Sequence, residues 1–317
     1  MRYRHLGRTG LRVSMLGMGT GGHDPLGQKS GRPESEMIGL LHRAFDLGVN
    51  LFDTAPGYME SEAILGRALE PLPRQEIVVS TKLGLAPAGE DNELYVAPDD
   101  VAANIDRSLQ RLGLDYIDVL LITADLKHFP VVMDRHIPEL EALKQSGKIR
   151  ALGSTEWSVS DGAHQWLEQM LPTGVLDVAM VAHNMINQSA QDVVLPHCSE
   201  HGIGVVNIFT VRNLFWDPER LREVLDELAE KGLVRGPAAE NADPLGWLVA
   251  DGIAGSLVEA AYRYCAYTSG VTTVMCGTLD VGELEHDVAF LEEGPLPSQA
   301  IHRLRETFRH VAEPIGN

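Results

Sequence analysis

Eight short apolar runs punctuate the chain: SMLGMGT (14–20), VNLFDTA (49–55), EIVVSTK (76–82), IDVLLIT (117–123), KIRALGS (148–154), LDVAMVAH (176–183), GVVNIFT (204–210) and VTTVMCG (271–277). In the fourth, Ile117, Val119, Leu120, Leu121 and Ile122 are almost unbroken, the pattern of a strand covered on both faces. Between the runs the apolar positions change to a helical period. DDVAANIDRSLQRLGL places Val101, Ile105, Leu109 and Leu112 on one stripe behind an acidic start. DPERLREVLDELAEKG does the same and stops at Lys231 and Gly232. Alternating strand and helix units imply a parallel sheet. Eight of them in about 300 residues predict a closed (β/α)8 TIM barrel. The start, YRHLGRTGLRVS, predicts an N-terminal β-hairpin turning at Arg8, Thr9 and Gly10 and plugging the lower face. The stretch from Asp217 to Asp251 is too long for one crossover, so extra helices are expected toward the C-terminal end. No repeat, linker or low-complexity tract interrupts the pattern, and GQKSGRPES reads as a surface loop after the first strand. One domain over residues 1–317 is expected.

A chain that is 44% hydrophobic over 317 residues can fill such a core. The net charge of −19 argues against nucleic acid or an anionic membrane as partner. Three cysteines without a spaced framework suit thiols in a reducing cytoplasm, and the polar start MRYRHLGRTG lacks the apolar core of a signal peptide. No apolar run is long enough to span a bilayer.

Reactive residues of such barrels sit at the carboxyl ends of the strands. Those ends carry Asp53 with Tyr58 just beyond, Lys82, and Thr123, while Gly19 and Thr20 at the end of the first strand are candidates for cofactor binding. A free tyrosine titrates near ~10 and is a weak acid at neutral pH, whereas an ammonium beside it favours the phenolate. Asp53 can hold Lys82 charged and fix its direction. Tyr58 then becomes a candidate general acid or base, a role worth roughly 10²–10⁴ in rate. Singly, a strand-end lysine is usually a surface ion pair and a tyrosine a packing residue; together they point to proton transfer.

The stretches LGRTGLRVSMLGMGT, VNLFDTAPGYMESEAILGRAL, IVVSTKLG and SLQRLGLDYIDVLLI resemble the aldo-keto reductase superfamily over nearly the whole chain. NMINQSAQ and TVRNLF are similar to a subgroup of sugar and aldose dehydrogenases. The resemblance implies a (β/α)8 barrel with a nicotinamide cofactor across the strand ends, and assigns catalysis to Asp53, Tyr58 and Lys82. The family's fourth catalytic residue, a histidine ending strand four, is Thr123 in this sequence.

Other family positions are altered too. Where the family holds the carboxamide and stacks on the nicotinamide ring, this sequence has Thr155, Glu156, Met180 and His183. Thr155 and Glu156 can hydrogen-bond an amide; Met180 cannot replace a glutamine and is equally a core filler. His183 is a small stacking platform or a satisfied strand-end histidine. After strand eight, CGTLDVGELEHDV contains no lysine or arginine. Gly277 and Thr278 offer donors at a helix start, and Asp287 is among the acids that would accept from a ribose hydroxyl but repel a 2′-phosphate. NAD(H) is therefore expected over NADP(H), if a dinucleotide binds at all. Arg212 and Asn213, after strand seven, are candidates for a pyrophosphate contact. His128, Trp157, Phe215 and Trp216 are expected pocket walls for a small carbonyl or sugar-like substrate.

The glycines of GMGTGG match a dinucleotide loop only in part. His197, Cys198 and His201 lack a second ligand cluster, so no metal site is expected. Ser154 has no base to pair with. Two enzyme readings follow: a nicotinamide-dependent oxidoreductase with Tyr58 moving the proton, or a non-redox lyase or epimerase using Tyr58 and Lys82 beside a carbonyl. A third, a binding protein that kept the fold and lost turnover, fits poorly with an intact Asp53, Tyr58 and Lys82 set.

Overall fold

All eight predicted runs are strands, and their register joins them in a ring in a computed structural model that describes residues 1–89, 95–157, 160–235 and 244–315. The hairpin is β1 (Tyr3–His5) and β2 (Arg12–Ser14), antiparallel as expected. The barrel strands are β3 (Leu16–Gly19), β4 (Leu51–Asp53), β5 (Val78–Leu85), β7 (Ile117–Ala124), β8 (Ile149–Thr155), β9 (Val178–Ala182), β10 (Gly204–Ile208) and β11 (Thr273–Cys276). Each pairs in parallel with the next, and β11 closes on β3. A two-residue strand, β6 (Tyr95–Val96), adds to the end of β5.

Alternation along the strands divides the apolar residues into two cores. Leu51, Val78, Val119, Leu121, Ala151, Val178, Met180 and Val206 pack together inside the ring with Leu6, Leu11 and Val13 of the hairpin. Residues of the opposite parity, among them Phe52, Val79, Leu120, Ile122, Leu152, Val205 and Val274, join the core beneath the helices. The hairpin closes the amino end of the barrel. Gly7 (φ +52°) lies so close to Gly204, the first residue of β10, that a Cβ there would sit 2.2 Å from its amide nitrogen. With the bottom plugged and packed by the hairpin, the lumen is approached from the carboxyl end.

The helices follow the predicted stripes. Val101–Leu112 buries Val101, Ile105, Leu109 and Leu112 and ends at Gly113 in the left-handed region. Pro218–Glu230 is capped by Asp217, whose carboxylate accepts from the amides of Glu219 and Arg220. The long stretch after β10 contains a short additional helix, Trp247–Ala250; its residues 236–243 lie outside the described set. Ser298–Phe308 follows the last barrel helix, Val281–Glu292. Among the described residues no helix is long and apolar enough to cross a membrane.

Candidate active site

The parity that fills the lumen, carried upward by two or four residues on each strand, brings Asp53, Lys82, Thr123 and Thr155 to the mouth. Asp53 is buried, and both carboxylate oxygens are engaged: Oδ1 accepts from Ser80 Oγ at 2.7 Å and Oδ2 from Lys82 Nζ at 2.5 Å. Lys82 also donates to the carbonyl of Thr54 at 3.0 Å. Burial alone would lower Lys82, but the adjacent Asp53 carboxylate and Tyr58 outweigh it and hold the lysine above its usual value. Its ammonium lies 4.9 Å from the centre of the Tyr58 ring. The three residues expected to act together are therefore one cluster, with Ser80 a fourth member missed in the sequence. Ser80 shares the parity of Lys82 on the same strand, a signal that was there to be read.

Tyr58 stands on a tight turn in which its amide donates to the Ala55 carbonyl and its own carbonyl accepts from the Ser61 amide. Its ring rests on Gly21, in the loop after β3, where a Cβ would fall 2.4 Å from Cε2. Thr20, one residue earlier, donates both its amide (2.9 Å) and its hydroxyl (3.0 Å) to the Asp53 carbonyl, fastening β3 to β4. Gly19 is the register partner of Asp53.

Thr123 is 7% exposed, stands opposite Gly84 in the register, and its hydroxyl is buried with no partner among the described residues. The walls beside it include Tyr95, which the sequence did not single out. Its ring meets those of His128 (centroids 6.1 Å apart) and Trp157 (6.3 Å) edge-on, and its hydroxyl donates to Asp125. Trp157 Nε1 is likewise buried without an acceptor among the described residues. Of the other expected walls, Phe215 is packed into the outer core, while Trp216 is 61% exposed and donates to the Arg212 carbonyl.

Several expected cofactor contacts do not fit this arrangement. Glu156 follows the lumen-facing Thr155 and has no accessible surface on its side chain. Its carboxylate takes His164 Nδ1 at 2.9 Å and the Ala182 amide at 2.9 Å, and burial pushes its titration up against the pull of His164. Met180 is 1% exposed in the lumen core and acts as floor. His183 is fully buried against Tyr264, 5.6 Å between centroids, and burial depresses its titration to about 3. It is a core imidazole and presents no face for stacking. Asp287 is also buried: it accepts from Tyr262 Oη at 2.8 Å, inside the packing of Val281–Glu292 on Leu257–Tyr267, and burial raises it to about 7.

At the turn after β11, a Cβ on Gly277 would meet nothing within 4 Å, so the backbone is open there. Thr278 Oγ1 donates to Glu283 at 2.5 Å, and Asp280 caps the helix through the Glu283 amide. The cation lacking from this stretch arrives from elsewhere. Arg32, in the loop after β3, donates to the Leu279 carbonyl at 2.9 Å, and Arg43 pairs with Glu285. Across the mouth, Asn213 Nδ2 lies 2.7 Å from His23 Nε2, linking the loops after β10 and β3. Arg212 adopts a left-handed backbone (φ +53°), with its guanidinium 3.6 Å from the Phe209 ring centre. His197 and His201 stack on each other at 4.1 Å, and no group of three metal-ligating side chains occurs among the described residues.

The chain as a whole is similar to known proteins. The sequence profile of the aldo/keto reductase family matches residues 16–308. The chain is 29% identical to L-galactose dehydrogenase of Arabidopsis thaliana over 324 residues, covering 99% of this chain and 95% of that protein. It is 32% identical to the NADH-specific methylglyoxal reductase of Escherichia coli (strain K12), over 65% of each chain. The holo form of an aldo-keto reductase from Bacillus halodurans superposes with a TM-score of 0.72, at 23% identity, covering 98% of this chain and 97% of that one.

Proposed function

We propose that this chain, which belongs to the aldo/keto reductase family and is an NAD(P)-dependent oxidoreductase, interconverts a small sugar-like alcohol and its carbonyl with Tyr58 as the proton carrier. The observation that carries the proposal is the contiguous Asp53, Lys82 and Tyr58 cluster at the open end of the barrel. A bound nicotinamide supplies the hydride acceptor or donor. The chain's part is the proton. Lys82, kept charged by Asp53, sets an ammonium beside the Tyr58 ring, and Tyr58 takes the proton of the substrate hydroxyl in oxidation and returns it in reduction. The Thr123 hydroxyl, unpartnered among the described residues, faces the same space and is available to the substrate oxygen.

The residues present fit a dinucleotide along the mouth. Thr155 is the carboxamide partner that remains once Glu156 is engaged. Arg212 and Asn213 offer donors to a pyrophosphate, and Gly277 leaves the turn after β11 open to close approach. The acids at Asp280 and Glu283 favour an unphosphorylated ribose, hence NADH, with Arg32 as the opposing charge. Edge-on Tyr95, His128 and Trp157, with a buried indole N–H, suit a substrate with both a ring face and hydroxyl groups. A sugar has both. Three buried free cysteines suit a reducing compartment.

The test is turnover of L-galactose with NAD⁺ and of methylglyoxal with NADH, in wild type and Tyr58→Phe. We expect oxidation of L-galactose or a related aldose, and a loss of roughly 10²-fold or more in the variant. A Tyr58→Phe enzyme with the wild-type rate would overturn the proton-carrier role. Failure to oxidise any aldose in a stereochemical panel would overturn the substrate class.

A further inference from the structure

The turn that carries Tyr58 is conformationally expensive, and one residue from a distant loop spans it. Met59, immediately after Tyr58, has φ +53° and is 52% exposed, so neither a glycine backbone nor burial of its own side chain holds it in the left-handed region. Gln28 comes from the loop after β3, 30 residues earlier than Tyr58. Its Oε1 accepts from the Glu60 amide at 2.9 Å, on the far side of Met59. Its Nε2 donates toward the Tyr58 carbonyl at 3.4 Å, on the near side, and to Ser61 Oγ at 3.1 Å and the Pro25 carbonyl at 2.8 Å. Carbonyls on one side and an amide N–H on the other leave the side-chain amide one orientation. Ser61 Oγ donates in turn to the Thr20 carbonyl at 3.1 Å, and Thr20 is bonded to the carbonyl of Asp53. The Tyr58 turn is thereby tied to the strand end that carries Asp53.

We infer that Gln28 is a positioning residue: its side-chain amide bridges the strained Met59 and sets the Tyr58 phenol against Lys82. The inference rests on the reading of Tyr58 as proton carrier. Without the bridge, Met59 relaxes toward negative φ and the ring swings with it. A displacement near 1 Å at a reacting group is enough to cost on the order of 10²-fold in rate.

The experiment compares wild type, Gln28→Met, Gln28→Glu and Tyr58→Phe. Methionine keeps the volume and removes every hydrogen bond, while glutamate keeps the acceptor and loses the donors. Two readouts are taken: kcat and KM on the aldose turned over by wild type, and hydrogen exchange of the segment 55–65. We expect kcat to fall roughly 10- to 100-fold in Gln28→Met and Gln28→Glu, with KM and NADH affinity within about twofold of wild type. Exchange of the Glu60 amide should quicken at least about tenfold in Gln28→Met, while the other barrel segments keep their protection. Wild-type kcat in Gln28→Met beside an inactive Tyr58→Phe overturns this inference alone. An active Tyr58→Phe overturns the proton-carrier reading and this inference with it. Unchanged Glu60 exchange in Gln28→Met overturns the bridge whatever the kinetics.

Discussion

Replacing Gly21 with alanine adds one methyl group, and the structure says where it goes. The new Cβ would lie 2.4 Å from Cε2, 2.5 Å from Cζ and 2.9 Å from Cδ2 of Tyr58. Carbon atoms in contact sit about 3.5–4.0 Å apart, so the ring edge must retreat by about 1 Å. Cζ carries the phenolic oxygen, so the displaced atom is the one that moves the proton. The ring is only half-buried and the glycine lies in a loop without a positive φ, so the clash is relieved by motion instead of unfolding. The expected result is a kcat lower by about 10²-fold with an unchanged midpoint of thermal unfolding. Gly39, in the helix Glu34–Asp46 with nothing within 4 Å of its Cβ, is the control. Gly39→Ala should leave kcat alone and stabilise by about 0.5–1 kcal/mol. The assay is steady-state turnover of both variants alongside calorimetry. If Gly21→Ala turns over at the wild-type rate, the Tyr58 ring does not rest against Gly21, or its placement does not limit the reaction.

NADH should bind more tightly than NADPH, measured by nicotinamide fluorescence; a preference for NADPH would refute the reading and make Arg32→Ala the next variant to titrate. Wild type should reduce a small aromatic aldehyde poorly, because Thr123 offers a short, rotating hydroxyl where an imidazole donor would stabilise developing charge, and Thr123→His should raise that activity. Robust wild-type reduction, or no gain in the variant with cofactor binding intact, would count against it. Asp287→Asn should raise stability more at pH 8 than at pH 5. The folded carboxyl titrates at about 7, above the unfolded value of 3.8, so the folded state binds the extra proton and stability is lost as pH rises through that window. The gain at pH 8 should be on the order of 2–4 kcal/mol by urea unfolding, and equal effects at the two pH values would refute it.

The barrel was legible because its instructions are local. A strand's period of two and a helix's period of 3.6 are complete within ten or fifteen residues, so the apolar pattern alone located all eight strands and their carboxyl ends. Lys82 and Thr123 followed from being last in their runs, Asp53 from standing near the end of its own, and Tyr58 from standing just after it. Alternation held more than was taken from it. Thr155 continues the lumen parity of Ala151, which leaves Glu156 off it, and Met180 continues that of Val178, which makes it floor. His183 and Asp287 needed the fold, because burial by Tyr264 and Tyr262 comes from a single helix, 81 residues on from the first and 25 residues back from the second.

What only the tertiary structure decided is which loop meets which. Gln28 at Glu60, Gly21 beneath Tyr58, Arg32 at Leu279, His23 at Asn213 and Tyr95 between His128 and Trp157 join segments that are 32 to 247 residues apart. None of these pairs shares a strand or a helix, so no periodicity records them. They exist because closing the ring sets all eight strand ends around one mouth, and loops with no hydrogen-bonding period of their own take their neighbours from that closure.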